Sequence, residues 1–282
     1  MRPEVSSKIL VFDGDCPVCV STVEGLERAG LVPAERRRAY QAFEGDVSVR
    51  LWDAGIRNEI AVLDESSGVI VSGVPGLLSI LGDSWIGPLA RPLSFAPLAA
   101  LLSVAYRHIA YNRRIIASNP PGPIACACDP DFHLGYRLGF LFIVGALASL
   151  GAYALGLTVP VHGEGGEPGS GVSMWITWGA GWLAASLCAL RLPFEAAITW
   201  LGHLVVTALV GMMFFVPAML TSIALEGSAQ LVVLGISGTG SLTYMTRMQL
   251  RRAKLQKLGA GWVVAWCLLL VLGSLIAFGV VH

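Results

Sequence analysis

The residues best suited to chemistry lie near the start of the chain, Asp13-Gly14-Asp15-Cys16-Pro17-Val18-Cys19, directly after the apolar run Ile9-Leu10-Val11-Phe12. Two cysteines three apart form a reactive dithiol when the first opens a helix and the second lies one turn on. Free N–H groups and the positive end of the helix dipole then favour the thiolate of the first over its thiol. The second can attack a mixed disulfide at the first and release what was bound. Cys16 is therefore the candidate attacking thiol and Cys19 the candidate resolving thiol. Pro17 suits a first helical turn, where its missing N–H costs nothing. Cys-x-x-Cys is also half of a common zinc site. Zinc knuckles sit in short loop-rich segments, however, and this pair lies between a strand and an amphipathic helix with Val20, Val23 and Leu26 on one side.

Asp13 and Asp15 flank the dithiol. Asp15 is expected to cap the helix. Asp13, at the strand end, is placed to accept the proton of Cys19. A carboxylate near a thiol also raises its pKa, against the dipole. The second chemical feature is Cys126-Ala127-Cys128, behind Pro120, Pro121 and Pro123. This pair has four open readings: a secondary redox pair exchanging with Cys16–Cys19, a four-thiolate zinc site with them, a separate metal site with Asp131 and His133, or two inert or acylated cysteines.

The elements that must position these residues read as a strand over 7–14, a helix over 16–30, a short strand over 39–43 and a helix over 47–55. A hairpin then joins 59–63 to 69–72, followed by a helix over 73–81. The order β-α-β-α-β-β-α is that of an α/β thioredoxin-like fold. At this point the chain resembles the DCC thiol–disulfide oxidoreductases. Their Asp-x-x-Cys-x-x-Cys signature is matched by Asp13, Cys16 and Cys19. A second pattern is present as Tyr106-Arg107-His108-Ile109-Ala110-Tyr111-Asn112-Arg113. The likeness covers residues 8–118 and implies dithiol exchange with protein or small-molecule thiols and disulfides. No organic cofactor and no metal are implied, because two sulfurs carry the electron pair. One departure stands out: no proline lies between Pro33 and Pro75, so the cis-proline that thioredoxins place before the third strand is missing.

The rest of the chain is different in kind. Hydrophobic residues make up 55% of the protein and charged ones only 13%, with mean hydropathy +0.68. Residues 1–137 hold 13 of the 19 Lys and Arg and 15 of the 19 Asp and Glu. The expected organisation is a thioredoxin-like domain over 1–118, a proline-rich hinge over 119–137, and an all-α transmembrane domain over 138–282. Residues 85–105 are apolar too, but Pro88, Arg91, Pro92 and Pro97 interrupt them. They read as a loop and closing helix of the first domain, with a membrane-surface contact as the alternative.

Five spans are expected, near 138–160, 172–190, 197–218, 229–246 and 259–281. Arg137, Arg191, Arg247, Arg251, Arg252, Lys254 and Lys257 fall on one side of them, and Glu164, Glu167 and Glu226 on the other. By the positive-inside rule the protein is a multi-pass inner- or plasma-membrane protein with its N-terminal domain cytoplasmic and its C-terminus outside. No apolar signal-peptide core precedes the dithiol. Zero net charge and the lack of a basic, aromatic-rich patch imply no nucleic-acid partner; the bilayer is the implied one.

Within the spans, His203 is a functional candidate because ionisable groups are expensive in lipid, or else an interhelical hydrogen bonder. Cys188 and Cys267 read as packing residues. Trp175, Trp178, Trp200 and Trp262 read as interface anchors, and Gly135, Gly139, Gly235, Gly238 and Gly240 as sites of close helix approach. The reading is a membrane-tethered thiol–disulfide oxidoreductase. Its main competitor is a transporter or receptor-like protein with a redox-inert or zinc-binding thioredoxin-like module. An electron conduit through the spans ranks last.

Overall fold

Strand β1 (Lys8–Phe12) organises the first of the two units into which the chain divides, Met1–Tyr136 and Arg137–His282. The computed structural model describes residues 7–117, 130–158, 179, 182–183, 186–221 and 228–277. Alternate β1 side chains enter two cores. Leu10 and Phe12 join Val23, Val32, Val62 and Ile80, while Ile9 and Val11 join Tyr40, Leu51, Ile56 and Leu63. A strand covered on both faces reads as an unbroken apolar run rather than an alternating one.

Helix α1 (Pro17–Arg28) and helix α3 (Gly73–Leu81) supply the first core, and α2 (Gly45–Asp53) the second. Strand β2 (Arg37–Ala39) runs parallel to β1. Strand β3 (Ala61–Asp64) is antiparallel to β1, and β4 (Ile70–Ser72) antiparallel to β3. The resulting order β2-β1-β3-β4 is a mixed four-stranded, thioredoxin-like sheet. One strand differs from expectation. β2 stops at Ala39, and Tyr40–Ala42 close into a 3-10 turn, which swings Tyr40 into the core.

Residues 85–105 form two helices rather than a loop and one helix. These are α4 (Gly87–Leu93) and α5 (Ala96–Ala110), bent by 93° to each other. Pro97 occupies the first turn of α5 and forces the restart. Helix α6 (Arg113–Ile116) follows. Of the expected hinge, 119–129 lie outside the described residues. Asp131 accepts from Asn58 Nδ2 at 2.9 Å and pairs with Arg57 at 2.9 Å, and the Tyr136 ring stacks on Tyr111.

The second unit is helical. It contains α7 (Leu134–Thr158), whose first residues belong to the first unit, a 3-10 turn (Cys188–Arg191), α8 (Phe194–Met213), α9 (Val216–Thr221), α10 (Ser228–Leu255) and α11 (Ala260–Ala277). Among the described residues two stretches are long and apolar enough to cross a membrane, Leu134–Leu157 and Phe194–Thr221. They coincide with the expected first and third spans. The second falls mostly outside the described residues and the fifth partly so. The fourth lies on α10, whose interspersed Ser, Thr, Gln and basic residues leave it less apolar.

Three expectations here are corrected. Arg252 is no loop cation: α10 runs on to Leu255 and turns it inward, where it donates to Thr207 Oγ1 at 3.0 Å and to the His203 carbonyl. Trp200 is buried in the helical core rather than displayed at an interface, because α8 already starts at Phe194. Among the described residues, nothing approaches Gly235 closely. Gly240 does approach closely, with a Cβ there 3.1 Å from the Phe214 ring, and a tighter approach lies at Gly211, where Ser241 Oγ donates to the carbonyl at 2.8 Å and a Cβ would collide with Met245.

Candidate active site

The chain leaves β1 through Asp13-Gly14-Asp15 and enters α1 at Cys16, which occupies the N-cap with Pro17 in the first turn. The Cys16 carbonyl accepts from Val20 N–H at 2.9 Å, the first bond of the helix. The amide of Cys19 is one of those with no partner inside the helix, and it points back to the Cys16 sulfur. Gly14 is required by crowding, since a Cβ there would stand 2.9 Å from the Cβ of Ala39 on β2. Asp15 does not cap α1. That place belongs to Cys16, and Asp15 meets the Gln41 amide at 3.4 Å instead.

Both thiols are free, and both are buried, Cys16 at 1% and Cys19 at 5% exposure. They titrate apart. The hydrogen bond from the Cys19 thiol, more than the opposing burial, pushes the Cys16 thiol down to about 6; the Cys19 backbone N–H and the charge of Arg113 also lower it, and Asp13 raises it. The same hydrogen bond, then burial, pushes Cys19 up. One sulfur is thereby a thiolate at neutral pH and its neighbour a thiol.

Asp13 is 1% exposed and held from four directions. Its Oδ1 accepts from Asp15 N–H and from Gln41 Nε2, each at 3.0 Å. Its Oδ2 lies 3.5 Å from the guanidinium groups of both Arg113 and Arg114. Arg113 is buried as well and donates to the carbonyls of Arg57 and Asn58 at 2.7 and 3.0 Å. Arg114 reaches the Asp15 carbonyl at 3.4 Å. The two sequence patterns, about a hundred residues apart, thus meet at one carboxylate.

Other residues of the second pattern acquire roles in the same way. Tyr106 hydroxyl accepts from Ile60 N–H at 2.9 Å, just before β3. Asn112 is fully buried and bridges the carbonyls of His108 and Tyr136. Gln41 and Arg114 were not singled out from the sequence. The available signal for Gln41 was its place just past β2, the parallel neighbour of β1, because such strand ends converge on one edge of the sheet. Cys126 and Cys128 lie outside the described residues, as does the side chain of Cys188. His203 lies in the second unit, where its carbonyl serves Arg252. Cys267 Sγ is 3.1 Å from Thr246 Oγ1.

No curated protein and no solved structure matches the chain. A family model does, over residues 10–118, the stretch that contains the sheet, the dithiol and both arginines. That match covers less than half of the chain but includes the dithiol, Asp13, Gln41, Arg113 and Arg114, and over those residues the chain is similar to the DCC1-like thiol-disulfide oxidoreductase family.

Proposed function

We propose that the protein is a membrane-tethered thiol–disulfide oxidoreductase in which Cys16 attacks and Cys19 resolves. The observation that carries this reading is the opposite displacement of the two thiols at a strand-to-helix junction. The Cys16 thiolate attacks one sulfur of a substrate disulfide. The substrate S–S bond breaks, and the departing sulfur takes a proton from solvent. Cys19 then loses its proton and attacks Cys16 Sγ, which releases the second substrate thiol and leaves a Cys16–Cys19 disulfide. The substrate gains two electrons and two protons; the dithiol supplies both electrons and the Cys19 proton, and solvent supplies the other proton. No group beyond the two sulfurs enters the balance.

Asp13 serves this chemistry by holding the turn. Its Oδ1 already accepts two hydrogen bonds and its Oδ2 faces two guanidiniums. That favours the orienting role over the proton-accepting one. Cys19→Ser is expected to accumulate mixed disulfides with substrate and Cys16→Ser to accumulate none. Equal trapping by both variants, or by neither, overturns the assignment.

The same reading divides the chain into a redox domain over 1–118, a connector over 119–137 and a membrane domain over 138–282 with five spans. Cations on one side support a cytoplasmic N-terminal domain, and the burial of Arg137 and Arg252 leaves Arg191, Arg247, Arg251, Lys254 and Lys257 on that side. Cys126 and Cys128 form the second redox pair. Tethering to the same chain supports exchange with Cys16 at an effective concentration of roughly millimolar. A Cys16-to-Cys126 or Cys16-to-Cys128 cross-link in the Cys19→Ser protein is the expected product. Stoichiometric zinc without that cross-link overturns it.

A further inference from the structure

Helices α4 and α5 leave an apolar face uncovered on the redox domain. Trp85 and Leu89 are each 71% exposed, Phe95 68% and Leu101 65%. On α5 the exposed positions Pro97, Leu101, Val104 and Ala105 recur at the three-to-four spacing of one helix face. The opposite side carries Tyr106, which reaches β3. The Trp85 indole N–H is already satisfied by the Ala29 carbonyl at 3.1 Å, so the ring is displayed rather than hydrogen-bonded outward.

The chemistry of this face selects its partner. Taken together, the two helices have the hydropathy of a membrane span. They do not form one straight span, because they are bent by 93° and the longer has 15 residues, about 22 Å at 1.5 Å per residue, and a pair lying along the surface accommodates that bend directly. No charged residue lies between Arg91 and Arg107, and no Asp or Glu between Asp83 and Asp129. Apolar side chains bounded by Arg91 and by Arg107, which pairs with Glu59 at 2.8 Å, and rimmed by tryptophan, with no acid on the two helices themselves, are the chemistry of a helix lying in the headgroup region of an anionic bilayer. A helix long and apolar enough to cross that bilayer begins soon after in the same chain, at Leu134. A membrane surface is therefore always within tethered reach.

We propose that α4 and α5 form an interfacial wedge that seats the redox domain on an anionic lipid surface. This is independent of the redox chemistry of the dithiol. The test uses the full-length chain in vesicles of phosphatidylcholine and phosphatidylglycerol. An environment-sensitive fluorescent residue is placed at Leu89, Phe95 or Leu101, and at the exposed Asp53 on α2 as the control. A nitroxide on the upper acyl chain is expected to quench the first three at least about twofold more than the control, and aqueous iodide to show the reverse. Leu89→Asp combined with Leu101→Asp should remove more than about half of the lipid quenching at Phe95 and leave the unfolding transition in place, since both side chains are exposed. Shielding from both quenchers overturns the proposal in favour of a protein covering this face. Equal access of iodide to all four positions overturns it outright.

Discussion

Exchanging charges around Asp13 is expected to move the Cys16 thiol in opposite directions. Arg113 lowers it and Asp13 raises it, so Arg113→Gln should raise the Cys16 pKa and Asp13→Asn should lower it. Both groups are almost fully buried, which keeps solvent screening small. At an effective dielectric of about 20, a full charge within about 10 Å contributes on the order of 1.5–3 kcal/mol. Relaxation of the site takes the lower end, which is about one pKa unit. From about 6 in the native protein, Arg113→Gln is expected to move the thiol up by about one unit and Asp13→Asn to move it down by about one unit. The double variant should return close to 6, since it removes the two opposing charges together. The readout is the pH dependence of carbamidomethylation at Cys16, followed by mass spectrometry of its peptide in the reduced full-length protein. Arg113→Gln also leaves Asp13 with Arg114 alone and vacates two backbone carbonyls, so it should lose on the order of 3 kcal/mol of stability. Asp13→Asn should lose less, because Arg113 retains the Arg57 and Asn58 carbonyls. A rise in the Cys16 pKa with Asp13→Asn would refute the electrostatic account and restore Asp13 as a proton acceptor.

Further outcomes follow from the same geometry. Cys19→Ala removes the thiol hydrogen bond that does most to lower Cys16, so the midpoint of the Cys16 alkylation profile should move up from about 6 towards the ordinary thiol value. A thiol held low in the folded state adds stability above its unfolded pKa and loses it as pH falls through about 6. Reduced protein should therefore gain stability between about pH 6 and 9, a gain absent from the oxidised protein, as urea midpoints across that range would show. Tyr106→Phe leaves the Ile60 N–H without its acceptor and should cost about 1–3 kcal/mol in urea unfolding, with the Cys16 alkylation midpoint little changed. Gly73→Ala should cost more than an ordinary Gly-to-Ala change, because φ is +68° there and a Cβ would collide with the Glu59 carboxylate. For topology, a reporter fused after His282 should be active only outside the cell, and Cys16 should resist an impermeant thiol reagent in intact cells; labelling of Cys16 from outside overturns the orientation.

Local physics made much of the protein legible in its sequence. The run Ile9–Phe12, a proline in the next turn and two cysteines one turn apart specify a dithiol at a strand-to-helix junction, because each signal acts within a few residues. The order of strands and helices through Leu81 follows from the same short-range periodicity, and the apolar character of the second half from hydropathy alone. What the sequence left open depends on partners far along the chain. Asp13 meets Arg113 and Arg114 only because β1 is the central strand and α6 packs at its end. Gln41 enters because β2 runs parallel beside it. The burial of Cys16, the inward turn of Arg252 and the inward face of Trp200 are likewise products of packing. Charge pairing and burial depend on distance in space, and residue spacing along the chain carries no record of that distance until the sheet and helices have closed around the site.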